Sequence, residues 1–111
     1  MLRTISPVDG RVYVERPLSD ERRIAAVLAA ARGAQFAWRR RPVEERAAFC
    51  SAAVDAFVAN ADIIAEEITW QMGRPIAHSP GEVRGFEERA RHMIAIAPET
   101  LADLVAGGQA G

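Results

Sequence analysis

Lysine is absent from this chain. All 14 basic residues among its 111 are arginine, set against 15 acidic residues for a formal charge of −1. The absence excludes chemistry that needs a lysine amine, whether a Schiff base, a phosphate-loop lysine or a serine–lysine pair. The balanced charge also lacks the basic excess of a dedicated nucleic-acid binder, so no nucleic-acid partner is expected. Cysteine is nearly absent too. Cys50 alone allows neither an internal disulfide nor a multi-thiolate metal site, which fits a reducing, cytoplasmic setting. No apolar run approaches the roughly 18 residues of a membrane span, and the opening Met1 to Pro7 has no run of signal-peptide length. A soluble protein with no membrane partner is expected. Bulky apolar side chains are few, since 22 residues are alanine. A chain of this size buries roughly 65% of its unfolded surface, so its core will be thin and its fold one small domain at most.

What is present is mainly helical. Over residues 1–18, Pro7, Asp9-Gly10 and Pro17 punctuate the alternating stretch Arg11 to Glu15, which predicts a short β-hairpin. Gly10 supplies the positive φ of its turn, and Val12 and Val14 share one face. An isolated hairpin is marginal in water and must lie on something. Ser19-Asp20-Glu21 predicts a helix start with Ser19 as the hydroxyl cap. Ile24, Val27, Leu28, Ala31, Ala34 and Trp38 then recur at helical spacing over about 20–39, with Arg22, Arg23, Arg32 and Gln35 opposite. Arg39-Arg40-Arg41 reads as a solvated helix end before Pro42, which restarts a helix with Glu44 and Glu45 in its first turn.

That second helix is expected to bury Phe49, Cys50, Ala53, Val54, Phe57 and Val58, making Cys50 an inert internal thiol. Asn60 breaks it. Ala61, Ile64, Ala65, Ile68 and Met72 mark a third helix, which Gly73 and Pro75 stop. Ser79-Pro80-Gly81-Glu82 reads as a capping box for a long helix carrying Val83, Phe86, Ala90, Met93, Ile94 and Ala97, with Glu87 and Arg91 paired four apart. Pro98 is expected to end that helix and to start a last short one over Glu99 to Val105. The helical segment thus covers 19–105, and a disordered tail 106–111.

No catalytic constellation can be read from these residues. His78 and His92 lack the spacing of a metal pair, so no metal site is expected. The acid pairs Glu44-Glu45, Glu66-Glu67 and Glu87-Glu88 diverge by about 100° on a helix and cannot converge on one substrate. The one Gly-Gly lies in the tail, and no nucleophile elbow occurs.

Three stretches in register resemble the N-terminal region of the aldehyde dehydrogenase family. Ile5-Ser6-Pro7-Val8-Asp9-Gly10 is similar to the family's opening N-P-x-(D/T)-G. Ala29-Ala30-Ala31-Arg32 through Phe36-Ala37-Trp38, then Pro42 and Glu45-Arg46, resembles AA-x-x-A-F-x-x-W followed by P-x-x-E-R. Ile68 through Pro75 resembles the E-x-G-K-P segment, with Glu82-Val83 beyond it. Gln71 stands where the family usually has glutamate and Arg74 where it usually has lysine. The likeness covers roughly 5–104.

The resemblance implies a mainly α structure with a short N-terminal β-hairpin, an N-terminal piece of the α/β aldehyde dehydrogenase fold. It implies oxidation of an aldehyde to an acid with NAD or NADP, through a cysteine thiohemiacetal, hydride transfer and glutamate-assisted hydrolysis, in an enzyme expected to be a homo-oligomer. In the family those parts lie beyond the segment matched here, and Cys50, inside a helix, does not correspond to the nucleophile. No catalytic, cofactor-binding or metal residue is therefore expected in this chain. A truncated and by itself inactive dehydrogenase is expected, whose partner is the remainder of the fold. By position after the glycine-proline segment, Phe86, Arg89 and Met93 are candidates for the lining of the substrate entrance. The alternative is a stand-alone helical protein-interaction module.

Overall fold

The computed structural model describes residues 1–107. Two strands, β1 (Leu2–Ile5) and β2 (Val12–Arg16), precede four helices: α1 (Glu21–Trp38), α2 (Val43–Ala59), α3 (Ala61–Met72) and α4 (Pro80–Thr100). The expected class is thus observed, a mainly helical chain with an antiparallel N-terminal hairpin. Leu2 pairs with Arg16, Thr4 with Val14 and Ile5 with Val12, so Tyr13 is an extra residue in β2. The bulge breaks the simple alternation expected along this strand, because an extra residue locally re-aims the chain. Gly10 turns the hairpin at φ 74°, closed by Ser6 N–H to Arg11 C=O at 2.8 Å.

The cap of α1 is Asp20 rather than Ser19. Its backbone is extended, and its carboxylate accepts the Arg23 N–H at 2.7 Å, which satisfies a free amide of the first turn. Asn60 separates α2 from α3 by leaving helical geometry at φ −103°, while its side chain donates to the Ala56 carbonyl at 2.8 Å. The two helices bend by 71° there. Among the described residues no single helix is long and apolar enough to cross a membrane. Gly73 ends α3 in the left-handed conformation, φ 75°, as its sequence position predicts.

Two expectations for α4 fail. Ser79 is already helical at φ −57°, ψ −36°, because the Pro75–Ser79 turn runs straight into the helix, so its hydroxyl cannot cap and no capping box forms. Pro98 does not end α4. Proline removes only its own N–H from the ladder, and the helix continues to Thr100, with Leu101 N–H closing on the Ala97 carbonyl at 2.9 Å. No helix forms from Glu99 to Val105; residues 103–107 have no regular structure. The tail expected to be disordered, 106–111, falls mostly on 108–111, outside the described residues.

Packing is concentrated where α4 crosses α2 and α3. Val54 of α2, Ala65 of α3 and Val83 of α4 are the buried apolar residues. The wider buried face expected for α2 is not formed: Phe49, Cys50 and Ala53 are exposed, as is Met72 of α3. None of the 18 residues of α1 is buried. An amphipathic face is legible from spacing, but burial needs a partner element, and no helix packs along α1; near its end the Trp38 ring lies 5.5 Å from that of Phe49.

Candidate functional site

The hairpin is fixed to α3 by polar contacts between distant parts of the chain. Ser6, 1% exposed, donates its hydroxyl to the Trp70 carbonyl at 2.6 Å and accepts the Val8 N–H at 3.2 Å. Tyr13, placed by the bulge, stacks on Trp70 with centroids 6.1 Å apart and 9° between the rings. Its hydroxyl donates to Glu67 at 2.9 Å. That bond raises the Tyr13 pKa from 10.0, because ionisation would set a phenolate against a carboxylate, with some loss of solvation adding to it. Behind this anchor, Ser79 is fully buried and shares a 2.7 Å hydrogen bond with Thr69. Arg74 pairs with Glu82 across the same elbow. These groups brace the α3–α4 elbow, and the serine expected as a helix cap serves there instead. Where the hairpin turn meets α3, a cavity of about 450 Å³ opens between Val8, Asp62, Ala65, Thr69, Trp70 and Pro80.

The three residues expected to line an entrance do not share one cavity. Phe86 packs on Phe57, centroids 4.6 Å apart. Met93 lies seven residues further on the same face and lines an apolar cleft of about 280 Å³ with Trp38, Cys50, Ile94, Ala97 and Leu101. Arg89 is turned away and borders a separate hollow with Gly85, Glu88 and His92. Cys50 is an exposed free thiol in the α2–α4 cleft, not the buried one expected, because the cleft stays open where α2 and α4 do not close on each other.

The acid pairs diverge as helical geometry requires. Glu67 takes Tyr13 and Gln71, Glu45 takes Arg41, and Glu87 takes Arg91 at 2.9 Å. Arg91 also reaches Asp55 of α2 at 2.7 Å, and the hydrogen bonds to Asp55 and then Glu87 push its pKa up from the ordinary guanidinium value. The Asp55 contact, 36 residues away in sequence, carried no local signal. Arg39 and Arg40 lie over the Phe36 ring, so the triple-arginine helix end is partly occupied by aromatic stacking. Among the described residues, no three His, Cys, Asp or Glu side chains are grouped to hold a metal ion.

A dinucleotide needs a strand leading through a glycine-rich turn into a helix whose amides meet the pyrophosphate, within a parallel sheet. The sheet described here is an antiparallel hairpin, and the start of α1 that follows it is filled by the chain's own Asp20 carboxylate. The described residues do not fit the cofactor.

The described residues thus form a hairpin docked on a helical elbow, with apolar side chains of α1, α2 and α4 left exposed. The sequence model of the aldehyde dehydrogenase family matches residues 1–108, and the chain belongs to that family. The match is wider than the 5–104 stretch carried by the motifs. Over 84 residues the chain is 33% identical to the 3,6-anhydro-alpha-L-galactose dehydrogenase of Streptomyces coelicolor, covering 76% of this chain and 17% of that protein. It is 34% identical over 83 residues to malonate-semialdehyde dehydrogenase 2 of Shouchella clausii, covering 74% and 17%. It is 32% identical over 80 residues to the NADP(+) succinate-semialdehyde dehydrogenase of Deinococcus radiodurans, covering 72% and 17%. The matched region thus spans about 17% of the length of these relatives. No solved structure matches the chain significantly.

Proposed function

We propose that this chain is the N-terminal helical segment of a cytoplasmic aldehyde dehydrogenase and takes part in NAD(P)-dependent aldehyde oxidation only when joined to the remainder of that fold. The observation that carries the proposal is the family match over residues 1–108 in a chain that aligns with about 17% of its relatives' length. The absence of a cofactor cradle among the described residues and the uncovered faces of α1 and the α2–α4 cleft support it. Two of these three relatives are named for semialdehydes, so a short aldehyde bearing one carboxylate at its other end is the substrate class to try first.

The chain alone is expected to be inactive. Purified protein is mixed with NAD or NADP and with malonate or succinate semialdehyde; reduction of the cofactor above a no-protein control would overturn the proposal. A complementary arm co-expresses the chain with a relative deprived of its matched N-terminal segment. Recovered turnover in the pair, and in neither half, is the expected result. In the complemented enzyme Phe86→Ala is expected to alter the preference between small and bulky aldehydes. An unchanged preference removes Phe86 from the entrance.

A further inference from the structure

We draw no further inference here: the strongest candidate, the cavity of about 450 Å³ where the hairpin turn meets α3, has the acidic pair Asp62 and Glu66 as its only charged lining among the described residues, and no second observation in the structure points to a ligand for that pair.

Discussion

Gly73 is held by its backbone and by a neighbour at once. At φ 75° an L side chain is strained, and a Cβ there would come within 2.8 Å of the Pro7 ring. Gly73→Ala is expected to destabilise by about 1–3 kcal/mol and to loosen the hairpin from α3, a change that urea unfolding followed by tryptophan fluorescence would register. Ser79→Ala leaves the Thr69 hydroxyl without its buried partner, at a cost of about 1–3 kcal/mol. The paired change with Thr69→Val, which removes both hydroxyls, should cost less than the sum of the single changes. Tyr13 gives a test by pH. Its folded pKa is raised above 10.0 by the bond to Glu67, so its contribution is complete below the unfolded value and is lost as pH rises through the folded one. The tyrosinate absorbance of this lone tyrosine should therefore appear later than in the unfolded chain, and Glu67→Gln should bring it back.

Between elements, the difference lies in what each helix packs against. Val54 is 3% exposed under α4, whereas Val27 of α1 is 50% exposed. Val54→Ala is expected to cost roughly 1–3 kcal/mol, and Val27→Ala less than about 0.5 kcal/mol in dilute solution; equal losses would mean that α1 is packed after all. Element boundaries were legible where a backbone requirement is local, as at Gly10, Asn60 and Gly73. They were misplaced where a distant group intervened. Ser79 has the sequence context of a cap, but the preceding turn holds it in helical geometry and Thr69 takes its hydroxyl. Pro98 has the look of a terminator, yet close to a helix end one missing N–H is tolerated.

The molecule as a whole is open. Its radius of gyration is 20.2 Å and its extents are 73 × 40 × 23 Å, against about 13 Å for the radius of a compact chain of this length. Ile24, Leu28, Phe49, Phe57 and Met93 all remain exposed. Such a surface predicts strong binding of a hydrophobic dye at neutral pH and a shallow thermal transition; a sharp transition with no dye binding would show a closed core in solution.

By itself the sequence determined the hairpin, the four main helices and the family, because helical spacing, turn glycines and short motifs in register are properties of neighbouring residues. It also excluded lysine chemistry and a multi-thiolate metal site, which depend on composition alone. Only the tertiary structure decided that Tyr13 and Ser6 moor the hairpin to α3, that Arg91 bridges Asp55 and Glu87, and that Cys50 opens to solvent. It likewise separated Arg89 from the face shared by Phe86 and Met93. Each of these depends on which distant elements approach one another and which do not: an apolar stripe in a sequence records a capacity to be buried, and only packing shows whether anything is there to cover it.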